Sequence, residues 1–124
     1  MVDRIRYEVL FYEMDSGRRP VEEFLDSLPL KVQAKIIKWI EKLKDYGPDL
    51  PRPYADILQG RIRELRIVFA SNQYRLLYFF YGKTIIITHG FIKKTDEVPI
   101  GELKKAQNSM LCFEMRIKRG DINI

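Results

Sequence analysis

The chain has almost none of the residues that form disulfides or bind transition metals. It contains one cysteine, Cys112, and one histidine, His89, among 124 residues. A single cysteine excludes an internal disulfide, and one cysteine with one histidine cannot form an ordinary zinc site. We therefore expect no cofactor and no metal at the functional site, although a magnesium site built only from carboxylates stays open.

The chain also lacks internal repeats and long apolar segments. No apolar run approaches the roughly 20 residues that a membrane-spanning helix needs. The N-terminal sequence MVDRIRYEVL is interrupted by charges, whereas a signal peptide has an unbroken apolar segment. These features predict a cytoplasmic protein with no membrane partner. The length predicts one domain over residues 1–124, with a flexible tail from about residue 118 to 124.

The positive charge is concentrated in the middle of the chain. Residues 52–94 contain eight Lys or Arg and two Asp or Glu, a net charge of +6, against +5 for the whole chain. The flanking segments are close to neutral, at −1 for residues 1–51 and 0 for residues 95–124. This distribution favours an anionic partner such as nucleic acid, although a solvated basic surface is the alternative.

Hydrophobic periodicity and turn residues predict an α+β fold with one antiparallel meander. The predicted elements are a strand at 4–12, helices at 20–28 and 30–46, strands at 62–69, 73–80 and 84–92, and a helix from about 99 to 118. The three prolines of GPDLPRPYADILQG predict an irregular crossing into the meander. We expect the two-helix hairpin to cover the apolar face of the sheet, with a charged face opposite.

Polar residues interrupt the apolar strands of the meander, and they are the main functional signal. Alternation places Glu64 and Arg66 on the charged face, whereas Leu65, Ile67 and Phe69 fall on the apolar face. Arg75 and His89 stand where an apolar residue would have continued its run. We expect His89 to be half-buried with one accessible face, and a purely structural histidine is the alternative.

Three short motifs carry a family resemblance: ELR at 64–66, YR at 74–75 and HGFIKKT at 89–95. Together with the order of the elements, they resemble the RelE/ParE toxin superfamily, and within it the phage-derived HigB-like branch. The resemblance implies a RelE/ParE-like fold, in which an antiparallel sheet carries a two-helix hairpin on one face and a C-terminal helix. It also implies the toxin of a type II toxin–antitoxin system, a metal-independent and ribosome-dependent mRNA endoribonuclease (mRNA interferase) that inhibits translation.

The resemblance also implies partners and site residues. The partners are a cognate antitoxin of the helix-turn-helix DNA-binding type, in a heterocomplex, and mRNA on the ribosome. The predicted catalytic residues are Arg66, Arg75, His89 and Lys93, and the predicted substrate-binding residues are Arg61, Arg63, Lys94 and Tyr54.

The chemistry of metal-free RNA cleavage explains these residue types. The substrate's own 2′-OH attacks the adjacent phosphorus and leaves a 2′,3′-cyclic phosphate, so the site needs a base, an acid and cations. Arginine suits the phosphate, and histidine suits proton transfer near neutrality. Lys93 and Lys94 either transfer a proton or hold RNA, and Glu64 either acts as a base or orients Arg66.

Two rival functions stay open at this stage. A ParE-like protein would inhibit DNA gyrase without chemistry, and a decayed phage protein would only bind RNA. The fold does not discriminate among these activities, because one scaffold can carry several.

Overall fold

The computed structural model describes residues 6–124, so the first two residues of the predicted first strand, Arg4 and Ile5, lie outside the described residues. The elements are, in chain order, β1 Glu8–Phe11, α1 Pro20–Asp26, α2 Leu30–Tyr46, a 3-10 turn Gly47–Asp49, β2 Ala55–Gln59, β3 Ile62–Phe69, β4 Asn72–Tyr81, β5 Thr84–Lys93 and α3 Ile100–Lys118. The predicted α+β class is therefore confirmed. The bounds predicted for α2 and β3 match those observed.

The strands form one sheet in the order β1-β5-β4-β3-β2. β1 pairs with β5 in parallel, and the other neighbours are antiparallel. The central pair β3–β4 is joined by a tight turn at Ala70 and Ser71, both of which have positive φ values, 50° and 70°. Two consecutive positive φ values are typical of the hairpin turn that matches the twist of its strands. This turn fixes which residues of β3 and β4 face each other.

Helices cover both faces of the sheet. On one face α1 and α2 bury a core that includes Ile36, Leu65 and Leu76. On the other face α3 buries a second core, in which Phe79 packs edge-on against Phe113 with their ring centroids 5.8 Å apart. Burying each side chain of this size stabilises the fold by roughly 1.5–3 kcal/mol relative to leaving it exposed.

The expectation of one apolar and one charged face is therefore wrong. Ile62, Leu77, Phe79 and Ile86 lie on the same face as the charged residues and are completely buried beneath α3. The continuous apolar runs of β4 and β5 are typical of strands that are covered on both faces. The charged residues occupy only the end of this face, where α3 begins.

The structure adds a strand that the sequence did not predict. β2 lies within the segment that was expected to be an irregular crossing, and it pairs with β3 along the edge of the sheet. It was missed because it follows three prolines and exposes its central Ile57, so that its apolar alternation is weak. The strand contributes Asp56 to the site described below.

Residues just beyond α3 contact the fold, and the flexible tail from about residue 118 to 124 stays a prediction. Asp121 N–H donates to the carbonyl oxygen of Arg116 at 2.9 Å. Ile122 is half-buried against the core beneath α3. Residues just beyond α3 therefore belong to the packed structure.

Candidate functional site

Two arginines lie side by side on the α3 face of the sheet. Arg66 of β3 and Arg75 of β4 are direct cross-strand partners, in the register that the Ala70–Ser71 turn sets. Like charges placed directly opposite each other in a sheet repel. The pair therefore needs an anion close by. Strand β3 provides this anion, two residues before Arg66.

That anion is Glu64, whose carboxylate is buried between the two guanidinium groups and is 1% exposed. Arg66 Nε donates to Glu64 Oε1 at 2.6 Å. Arg75 Nε lies 3.4 Å from Glu64 Oε2, too poorly aligned for a hydrogen bond. Among the described residues, these two atoms have no other hydrogen-bond partner. Glu64 thus reduces the repulsion between the two arginines and orients Arg66, which supports the second of its two predicted roles.

The two arginines differ in accessibility, which the sequence did not reveal. Arg75 is buried, and its guanidinium donates to Tyr74 O at 3.2 Å and to Gln73 Oε1 at 2.8 Å. Burial lowers the pKa of Arg75; the charge of Glu64 opposes this shift and that of Arg66 adds to it. The Arg66 side chain is 27% exposed. Arg66 is therefore the member of the pair that is more accessible to a ligand. Arg75 is the buried member, which lies beside Glu64 and helps to hold the pair in place.

The unpredicted strand β2 completes the outer rim of the pair. Asp56 Oδ2 accepts from Arg66 Nη2 at 3.2 Å and lies 3.0 Å from Arg52 Nε. Burial raises the pKa of Asp56, but hydrogen bonds from Arg52 and the Ile57 N–H and the charges of Arg52 and Arg66 lower it on balance. Asp56 is therefore a carboxylate at neutral pH. Its hydrogen bond holds Nη2 of the Arg66 guanidinium in place.

A groove of about 390 Å³ opens from the arginines toward α2. Its lining residues are Lys35, Trp39, Pro53, Tyr54, Arg66, Val68, Gln73 and Arg75. Tyr54 stacks on Trp39, with ring centroids 4.7 Å apart and an interplanar angle of 24°. The carbonyl of Tyr54 also accepts from the Arg66 N–H at 2.8 Å. We call this the aromatic groove, and it places a flat aromatic wall beside an accessible guanidinium.

A second groove of about 280 Å³ lies on the other side of Arg66, toward the loop before α3. Lys93 lines it, but so do Glu64, Asp96 and Glu97. The acidic residues of this groove repel an anion, whereas the lining of the aromatic groove contains three cations and no carboxylate. An anionic ligand is therefore favoured in the aromatic groove, whereas Lys93 lines the second groove and not the aromatic one.

His89 does not have the accessible face that the sequence predicted. It lies beneath the first turn of α3 and is 2% exposed. Nδ1 is 3.0 Å from Thr88 Oγ1, and Nε2 is 3.6 Å from Glu102 Oε1. Burial, and then the charge of Lys105, lowers the pKa of His89 from 6.5 to about 4. At neutral pH His89 is therefore an uncharged residue between β5 and α3. The sequence missed this because burial depends on how α3 docks.

The stability of the protein should fall in mild acid because of this histidine. Its pKa is about 4 when folded against 6.5 as the ordinary value, so between these values only the unfolded state binds the proton. The free energy of unfolding should decrease as the pH falls through this window, by at most about 3 kcal/mol from this group. In urea titrations at several pH values, His89→Gln should lose this component. A constant difference between wild type and His89→Gln would contradict the lowered pKa.

Three of the predicted substrate-binding residues lie away from the aromatic groove. Arg61 pairs with Glu114 of α3 at 2.7 Å, and it precedes Arg66 by five residues, roughly 16 Å along an extended strand. Arg63 lies on the opposite face, with its guanidinium 5.1 Å from the Phe80 ring centroid. Lys94 lines a separate hollow at the start of α3. These three residues therefore lie apart from Arg66, and their role in substrate binding stays a prediction. Strand alternation already separates Arg63 from Arg66.

Tyr54 is the predicted substrate-binding residue that does line the groove, and four further residues of the site were not among the predicted site residues. Asp56 belongs to the missed strand, and Gln73 follows from the register of β4. Lys35 and Trp39 come from α2, where their spacing of four residues places them on one side of the helix. That spacing was the available signal.

The described residues contain neither a cluster of metal ligands nor a membrane-spanning helix. Within residues 6–124 no group of three or more His, Cys, Asp or Glu side chains is arranged to hold a metal ion. No helix in this part of the chain is long and apolar enough to cross a membrane.

Comparisons with known proteins agree with this architecture. The crystal structure of the toxin-antitoxin complex RelBE2 from Mycobacterium tuberculosis contains a chain with a similar fold. The TM-score is 0.53 and the identity is 19%, over 72% of this chain and 100% of that chain. A search of curated proteins gave no match. The predicted RelE-like fold is therefore confirmed, whereas the HigB-like branch stays a prediction.

The model of the phage-derived Gp49-like family matches residues 23–111, most of the chain. The chain thus belongs to the phage-derived Gp49-like protein family.

Proposed function

We propose that this protein is a RelE-type toxin of a toxin–antitoxin pair that cuts messenger RNA without a metal. The observation that carries the proposal is an accessible, pre-oriented guanidinium, Arg66, beside the Trp39–Tyr54 ring stack in one groove. Guanidinium groups bind phosphate through a rigid fork of donors, and aromatic rings stack on unpaired bases. The aromatic groove thus offers both contacts that a single-stranded nucleotide needs.

The reaction would use the substrate's own 2′-OH as the nucleophile. Arg66 stabilises the charge that develops on the phosphorane, because Glu64 and Asp56 already hold it in place. Arg75 acts through Glu64 and Gln73 as a positioning residue. Lys93 shares the second groove with Arg66, and in this proposal its ammonium protonates the leaving 5′-oxygen from that side. The 2′-OH loses its proton to water in the open groove, and His89 takes no part.

The proposed partners follow from the same reasoning. RelBE2 is a toxin-antitoxin complex, and this likeness of fold supports an antitoxin as the partner here. We propose that mRNA on the ribosome is the substrate, because a folded duplex would not present an unstacked base to the Tyr54 ring. The helix-turn-helix type of antitoxin and a cytoplasmic site of action remain part of this proposal.

One observation favours a different function. The single histidine is buried, so the groove has no side chain whose ordinary pKa lies near neutrality. A ParE-like inhibitor of DNA gyrase would need no proton carrier. This function is the second candidate.

Primer extension on messages from cells that express the protein separates the two candidates. Cuts that recur at defined positions of translated messages, absent in cells that express Arg66→Ala, are expected for the nuclease. Induction of the DNA-damage response with intact messages would contradict the nuclease and support gyrase inhibition.

A further inference from the structure

The outer surface of α2 continues the aromatic groove as a line of positive charge. Lys31, Lys35, Lys38 and Lys42 follow one another at spacings of four, three and four residues. At about 100° per residue these positions fall within about 60° of each other around the helix. The four side chains therefore form one stripe, which we call the lysine stripe.

The contacts of α2 show on which flank the lysine stripe lies. The helix buries Val32, Ile36, Ile40 and Leu43 against the sheet. Trp39 falls between that buried row and the lysine stripe, and its ring faces Tyr54 in the groove. Lys35 lines the groove itself, and Lys42 Nζ lies 5.4 Å from the Trp39 ring centroid. The stripe thus borders the groove.

The charged residues on the other flank of α2 include carboxylates, and they lie away from the aromatic groove. Glu41 and Lys44 line a hollow on the β1 side of the helix. Asp45, near the end of α2, pairs with Arg6 at 3.3 Å. Within residues 6–124, no ion pair joins a lysine of the stripe to a carboxylate. The four ammonium groups thus remain available for an external anion.

We propose that the lysine stripe binds the phosphates of the single-stranded RNA that flanks the nucleotide held in the aromatic groove. Neighbouring lysines of the stripe are separated by about 4.5–6 Å along the helix axis, comparable to one step of an extended sugar–phosphate chain. This inference rests on the proposed function. It adds a second binding surface, which raises affinity for a long strand without touching the reacting phosphate.

The test is a binding measurement with strands that cannot be cut. The probes are labelled oligonucleotides with every 2′-OH methylated, one of about twelve nucleotides and one of about three, titrated at several salt concentrations. The double variant Lys31→Gln/Lys38→Gln removes two exposed lysines that do not line the aromatic groove. The matched control, Lys104→Gln/Lys118→Gln, removes two exposed lysines from α3.

For the long probe, the α2 variant should weaken binding about 5-fold and reduce the salt slope by about 1.4, since each phosphate contact on a single strand contributes about 0.7. The short probe should bind equally well, and the α3 control should match the wild type with both probes. An unchanged long-probe affinity, or an equal loss in the control, would overturn the inference. Because the probes cannot be cleaved, a protein that binds in this way but cuts no message would refute only the nuclease.

Discussion

Replacing Glu64 with alanine is expected to lower the free energy of unfolding by about 3–5 kcal/mol, the usual effect of removing one partner of a buried ion pair. The carboxylate is 1% exposed, and its removal leaves the guanidinium of Arg75, which is buried, without a counter-charge. Denaturant titration of the purified variant measures the loss. We expect Glu64→Ala to be folded only marginally at room temperature.

The control for this experiment is Asp56→Ala, which removes the other carboxylate that contacts Arg66. Asp56 lies at the rim, and Arg66 would keep its hydrogen bond to Glu64. The loss of stability should be clearly smaller than for Glu64→Ala. Replacing Glu64 and Arg75 together with apolar residues of similar volume should recover much of the stability, because no buried charge is left unpaired. Equal effects of Glu64→Ala and Asp56→Ala would contradict the central place of Glu64.

Replacing Arg66 with alanine is expected to reduce RNA cleavage by about 100- to 1,000-fold, as when one donor to a developing oxyanion is removed from other enzymes. Arg66→Lys keeps a positive charge beside Glu64 but loses the fork of donors, so it should recover stability more than activity. Purified ribosomes carrying a defined message, followed by primer extension, give the rates. Denaturant titration of both variants shows how much of the fold is retained.

Arg63→Ala is the matched control because it removes an arginine of the same strand from the opposite face. Its cleavage rate should stay within a few-fold of the wild type. A comparable loss in Arg63→Ala and Arg66→Ala would indicate that the total charge of the sheet matters and not the geometry of the groove. Arg75→Ala is a poorer test, since Arg75 is buried and its loss combines an effect on stability with any effect on cleavage.

Local sequence signals were enough for much of the fold. Pro29 and Gly47 delimit α2, and alternating residues define β3, so both elements could be predicted to the residue. The edge strand β2 was not predicted because an exposed edge strand needs little apolar alternation. Its pairing with β3 is a tertiary property that the short segment does not encode by itself.

The site was predictable only where alternation along a strand decides the outcome. Arg66 and Arg75 share a face because both strands alternate and one tight turn sets their register. The burial of His89 depends on the docking of α3, and the Trp39–Tyr54 stack joins a helix to a loop 15 residues away in sequence. No local pattern records such contacts. Alternation therefore placed Arg66 and Arg75 on one face, but it could predict neither the burial of His89 nor the ring stack beside Arg66.

The two outer strands of the sheet have a consequence for behaviour at high concentration. β1 has four residues, and β2 is interrupted by a bulge between Ile57 and Gln59. Short and irregular borders are poor templates for the backbone hydrogen bonds through which sheets of separate molecules join into fibres. Although Ile57 is 55% exposed, its strand offers no long flat ladder to a second molecule. We therefore expect these edges to make edge-to-edge aggregation of the folded protein unfavourable.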